Sequence, residues 1–184
     1  MVSSLKTRRN AVKKLVIALV LVILTIPCAA AVITVKADGT GDYPTIQAAI
    51  DAAGSGDTVV AADGTYTGTG NCNITFSGKN ITVKSQNGPQ NCVIDCQNIG
   101  GSMGFSFTGG ETKAALLDGF TIKNALYASG LGGGNGIYCN DYSSPTISNC
   151  TITGNNLSGI CCDYFSSPTI SNCTISGNNR SGIY

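Results

Sequence analysis

The sequence predicts an all-β solenoid, a parallel β-helix of short strands with one short helix closing its N-terminal end. Three observations carry this. Residues 136–158 and 159–181 are two copies of one 23-residue unit, identical at 17 positions. Each copy alternates polar and apolar β-branched residues in short runs, Pro145-Thr146-Ile147-Ser148 and Thr151-Ile152-Thr153, the pattern of strands with one buried face. Turn-formers stand between the runs, Ser143-Ser144-Pro145 and Gly154-Asn155-Asn156, and no helical period runs through them. A unit this short cannot enclose its own apolar face, so it must share a core with stacked neighbours. Leu is too sparse for a leucine-rich solenoid. Each copy therefore reads as one coil of about three strands and three turns, with coils about 4.8 Å apart.

The period proposes a register. Ile137 and Cys139 point inward with Ile160 and Cys162 above them, Ile147 stacks on Ile170, and Ile152 on Ile175. Cys150 and Cys173 take a further inward or turn-inward position. Asn149 and Asn172 sit at a strand-to-strand corner, where stacked amides can hydrogen-bond from coil to coil. Tyr138, Cys161 and Tyr184 face out at one level, and Tyr142 and Phe165 stack at the next turn.

In chain order, residues 1–31 read as an export signal. Lys6, Arg8, Arg9, Lys13 and Lys14 form a basic start, residues 15–26 are apolar, and Ala29-Ala30-Ala31 offers a small-residue cleavage site before Val32. Left uncut, the same segment is nearly long enough to anchor in a membrane, and this is the one membrane contact expected. Without it the chain holds six bases against ten acids, a net charge of −4. That balance argues against nucleic-acid binding.

Residues 32–184 form the β-helix. Ile33-Thr34-Val35 is a strand, and residues 43–54 hold the capping helix. Ile46, Ala49, Ile50 and Ala53 fall on one stripe, with Pro44 in the first turn and Gly54 just past the end. Residues 57–61 form the next strand, and Asp63-Gly64-Thr65 turns the chain. Strand candidates follow at 74–76, 81–84, 93–95, 104–108 and 116–122. From Ile122 to Ile152 is 30 residues, against 23 from Ile152 to Ile175. The excess lies in the Gly-rich loop at 125–134, either a piece of a binding face or a plain excursion. Residues 136–184 are the regular coils. The chain stops inside a third copy, so further coils are expected beyond it.

At residues 33–68, ITVKADGTGDYPTIQAAIDAAGSGDTVVAADGTYTG, the chain resembles the N-terminal cap and first coil of right-handed parallel β-helix proteins of the pectate-lyase-like superfamily (the pectin lyase fold), pectin methylesterases in particular. Residues 73–95 and 116–124 and the two SSPTISNCTI copies continue the likeness. The resemblance implies a right-handed helix. It implies no single function, because such proteins include lyases, hydrolases, esterases, adhesins and an accessory periplasmic protein for copper enzymes.

Cysteine is the first chemistry on that frame. Cysteines 72, 92, 96, 139, 150, 161, 162 and 173 follow the signal. Those recurring at the repeat period suit core filling, while export raises the question of disulfides, with Cys92–Cys96 the nearest local pair. No metal site is expected, since the chain has no His and no CxxC pair, and no cofactor is expected either. Hydrolysis needs two carboxylates held together, yet Asp141 aligns with Tyr164, Asp163 with Asn140 and Asp118 with Ser148. Gly68 stands where the resembling esterases carry an acid. No catalytic residue is therefore assigned. Tyr138, Tyr142 and Phe165 are candidates for stacking on sugar rings, and six Asn-x-Ser/Thr triplets read as repeat chemistry. The expectation is a secreted or cell-surface, non-catalytic scaffold with polysaccharide or cell-surface matrix as partner. The alternative is a polysaccharide-active enzyme whose site lies in further coils.

Overall fold

The computed structural model describes residues 29–130 and 132–184. The expected signal at 1–31 falls almost wholly outside the described residues. From Ala31 the described chain winds through fifteen strands and one helix. In chain order these are β1 (Val32–Val35), α1 (Ile46–Ala52), β2 (Thr58–Ala61), β3 (Gly64–Tyr66), β4 (Ile74–Thr75), β5 (Thr82–Ser85), β6 (Cys92–Asp95) and β7 (Phe105–Phe107). Then come β8 (Leu116–Asp118), β9 (Thr121–Lys123), β10 (Ile137–Cys139), β11 (Thr146–Ser148), β12 (Thr151–Thr153), β13 (Ile160–Cys162), β14 (Thr169–Ser171) and β15 (Thr174–Ser176).

The strands stack into three sheets, and every pairing between named strands is parallel. The first sheet runs β1-β2-β5-β8-β11-β14, the second β4-β7-β10-β13 and the third β3-β6-β9-β12-β15. Each coil visits first, third and second sheet in turn, and this is a parallel β-helix. Thr58, Thr82, Leu116, Thr146 and Thr169 share one level, so coil length runs 24, 34, 30 and 23 residues while the register holds. Length differences are absorbed at the corners. A one-residue slip would turn every inward side chain outward.

The period fixes the columns of the last coils. Ile137 lies on Ile160 and Cys139 on Cys162, Ile147 on Ile170, and Ile152 on Ile175. The lower interior is aromatic: Phe76, Phe105, Phe107 and Phe120 are fully buried, with the Phe76 and Phe107 rings 4.4 Å apart. Tyr66 is buried too, its hydroxyl donating to the Val35 and Ala62 carbonyls at 2.9 and 2.8 Å. Higher up, Ile and Cys replace the rings.

The helix is shorter than the sequence suggests. Thr45 is its N-cap, its Oγ1 accepting from the Ala48 N–H at 3.2 Å, which leaves Pro44 ahead of the helix. Ile46, Ala49, Ile50 and Ala53 are buried as α1 packs on β1, β2 and β4. Several strand bounds move by a residue, and two differ by more. Gly64-Thr65 opens β3 rather than a turn, and residues 116–122 split at Gly119, where φ is +81° and an added Cβ would strike Ser85 Oγ.

Glycine is required where the second and third sheets nearly touch. A Cβ on Gly136 would lie 2.6 Å from Ile152 Cγ2 and 2.8 Å from the Gly159 carbonyl, and one on Gly159 would meet the Gly182 carbonyl at 2.8 Å. This column lets the Ile side chains of the third sheet reach the backbone of the second.

The cysteines divide. Cys72 and Cys96 form a disulfide, with a Cα separation of 5.7 Å, so the expected Cys92–Cys96 pairing gives way. Cys92 begins β6 facing the core, whereas Cys96 follows the strand at a corner, where it meets the turn that carries Cys72. The other six described cysteines are free.

Candidate functional site

A groove of about 490 Å³ lies on the outer side of β10 and β13, bounded by the Gly-rich loop. Alternation along the strands builds its floor. Ile137 and Cys139 are buried, so Tyr138 between them faces out. Tyr138 is in register with Ser106 below and Cys161 above, and a bridge from Ile160 to Ile183 brings Tyr184 to the same level. Tyr127 of the loop supplies a third ring, and Asp163 and Arg180 supply opposite charges.

The loop is tied into the stack rather than projecting from it. Ala128 and Gly132 exchange two backbone hydrogen bonds of 2.9 and 3.0 Å, Gly134 N–H donates to Ser102 below, and Leu157 N–H donates to Gly134 from above. Gly134 has φ +88°, and a Cβ there would lie 2.8 Å from the Tyr127 backbone nitrogen and 2.9 Å from Leu157. At the loop's start, the Ala125 N–H donates to Asn155 Oδ1 at 3.1 Å. Tyr127 is thereby held at the groove wall while remaining half exposed.

Asp163 is the groove's electrostatic centre. The Cys161 thiol donates to its Oδ2 at 3.7 Å, and its charge acts on Tyr138. Burial, then the carboxylate of Asp163, raise Tyr138 above the usual phenol range. The same two causes push Cys161 up to about 11. Both side chains therefore stay protonated at neutral pH, and Cys161 is no thiolate nucleophile. Asp163 is the one carboxylate among the described lining residues, whereas glycoside hydrolysis in its usual form uses two.

The sequence candidates separate. Tyr138 lies in the groove; Tyr142 and Phe165 do not line it. These two stack at 5.4 Å with planes 14° apart, 70% and 82% exposed, at a corner where both have φ near +60°. Asn149 and Asn172 also have left-handed backbone, φ +52°, and are exposed, and the Asn149 amide donates to Asp118. Asn149 thus reaches the coil below through a carboxylate, and the amide-to-amide bond between coils joins Asn155 and Asn178. Cys139, Cys150, Cys162 and Cys173 all face the interior, the first two fully buried.

Sequence reading singles out neither Tyr127 nor Arg180 and meets Asp163 only as an unpaired acid, because the three come from different turns and none recurs at the repeat period. A ring inside a Gly-rich loop was the available signal for Tyr127. Elsewhere, Glu111 is buried but spent: it accepts from Gly78 N–H, Gly109 N–H and Ser143 Oγ at 2.8, 3.0 and 2.8 Å, bracing one corner to the coils on either side. A second groove of about 530 Å³ beside Gln47 and Asp51 of α1 has no aromatic lining among the described residues. Among the described residues no three His, Cys, Asp or Glu side chains converge as a metal site would require.

A family model described as a right-handed beta helix region matches residues 50–184. Comparison with curated proteins and with solved structures finds no match.

Proposed function

The chain belongs to the right-handed β-helix family, and from that premise we propose that it is an exported scaffold that holds carbohydrate in the groove of Tyr127, Tyr138 and Tyr184. The observation that carries this reading is the groove's make-up. Three rings stand beside one acid and one base. Tyrosine combines a flat apolar face with a polar tip, and a sugar presents a flat C–H face with hydroxyls at its rim. Asp163 accepts from such hydroxyls and Arg180 donates to them. Export is supported by the basic-then-apolar start of the sequence and by the Cys72–Cys96 disulfide, since disulfides persist in oxidising compartments.

Titration of the protein with a panel of neutral and acidic oligosaccharides, followed by calorimetry, tests this. Binding to at least one class is expected, weakened about tenfold or more by Tyr138→Ala or Arg180→Ala and unaffected by Tyr142→Ala. No binding across the panel, or equal binding by the groove variants, overturns it. Release of new reducing ends or of unsaturated product would replace the scaffold with an enzyme.

A further inference from the structure

The interior of the last coils carries thiols in vertical register. Cys139 and Cys162 are direct partners across β10 and β13. Cys150 and Cys173 each stand one residue before the partnered Thr151 and Thr174, and the Thr174 N–H donates to the Cys150 carbonyl at 2.8 Å. The Cys150 thiol donates to the Ser148 carbonyl at 3.1 Å, and the Cys173 thiol to the Ser171 carbonyl at 3.3 Å. Adjacent strands lie about 4.7–4.9 Å apart, inside the Cα separation of about 4.4–6.8 Å that a disulfide spans. The chain already joins successive coils once in this way, through Cys72 and Cys96. The remaining free cysteines of the described chain have no such partner: Cys92 is in register with Gly64 and Cys161 with Tyr138.

We propose that Cys150 with Cys173, and Cys139 with Cys162, are sites of disulfide formation between successive coils, closed by exchange with an oxidised low-molecular-weight disulfide. Cys150 and Cys139 are buried, whereas Cys173 and Cys162 are only partly so and are the sulfurs that a small disulfide can reach. The outer, half-buried sulfur is therefore the attacking one. Cys173 thiolate attacks one sulfur of RSSR, a mixed disulfide forms, and RS⁻ leaves. Cys150 then loses its proton and attacks the Cys173 sulfur, and a second RS⁻ leaves. Two electrons pass from the protein to RSSR, and the two thiol protons end on two RSH. Cys162 and Cys139 follow the same course. Closed, the pairs fasten the second sheet and the corner before the third to the coil below. Reduced, they leave those coils joined by backbone hydrogen bonds and packing.

This proposal does not depend on the carbohydrate reading. To test it, the full chain is incubated with excess glutathione disulfide, denatured, alkylated with N-ethylmaleimide and digested with chymotrypsin, which cuts beside the rings at 138, 142, 164 and 165. The linked peptides are then sequenced by fragmentation. Over residues 72–173, alkylated thiols are expected to fall from the six free ones to Cys92 and Cys161 alone, with links joining 150 to 173 and 139 to 162 and a raised thermal midpoint. Cys150→Ala should leave Cys173 as a glutathione adduct and retain the 139–162 link. If that variant fails to fold, Cys173→Ala, at a less buried position, should remove the same link alone. Six alkylated thiols after oxidation, or links that recruit Cys92 or Cys161, overturn the proposal.

Discussion

The side-chain amide of Asn155 donates to Oδ1 of Asn178, one coil further on, at 2.9 Å. Asn155 is 1% exposed, and its own Oδ1 accepts from Ala125, the first residue of the Gly-rich loop. The amide also faces the carbonyls of Ile122 and Thr153. One buried side chain thus links three coils and the root of the groove wall.

Replacing Asn155 should therefore cost more than its size suggests. Asn155→Ala orphans the Ala125 N–H and is expected to lose about 1–3 kcal/mol. Asn155→Asp keeps that acceptor but turns an oxygen toward three others, so it should destabilise further. Urea unfolding measures both. An aspartate variant as stable as wild type would refute the donor role of the amide.

Gly136→Ala is expected to cost about 1–3 kcal/mol, because the nearest obstacles include the Gly159 carbonyl and Ile152. Gly54→Ala is the control. A Cβ there meets nothing closer than Asp57 Oδ2 at 3.6 Å, and its midpoint should stay near wild type in the same denaturant series.

The Cys72–Cys96 bridge closes a loop of 24 residues, which by loop closure corresponds to about 3 kcal/mol. Cys72→Ser, Cys96→Ser and the double variant should lose similar amounts, and Cys92→Ser should leave the bridge intact. Free-thiol titration of the unfolded protein checks the pairing, and thermal melts check the loss.

Stability should fall in acid. Burial pushes the Asp95 carboxyl up, but hydrogen bonds from the Asn124 amide and the Gln97 N–H outweigh this, helped by Lys123 at 3.4 Å, and hold it below its ordinary value of 3.8. A depressed carboxyl contributes stability above the ordinary value, and loses it as pH falls through the folded one. Asp57, which accepts from the Ala31 and Gly54 N–H groups, shifts the same way. Melting temperature should thus drop between about pH 5 and about pH 2, and less so in Asp95→Asn.

What could be read from the sequence tracks where the period runs. The Ile147–Ile170 and Ile152–Ile175 columns follow from 23-residue spacing and strand alternation alone. The period could not say which asparagine faces in, because Asn149 and Asn155 both recur. Backbone conformation decides it, with Asn149 in the left-handed region at an exposed corner. The Cys72–Cys96 pair lies in coils of unequal length, where no repeat aligns the two residues. The groove joins Tyr127, Asp163 and Arg180 across separate turns, and only three-dimensional stacking brings them together.

The shared levels of the first sheet bear on how such a molecule can change over generations. Thr146 and Thr169 are partners one 23-residue unit apart. Duplicating or deleting a whole unit moves no remaining residue off its column. Copy number can thus drift through recombination between units at little cost to folding, while insertions of other lengths are confined to corners. The coil that carries the groove's loop is 30 residues long from Leu116 to Thr146, and the pairings on either side of the loop keep their register.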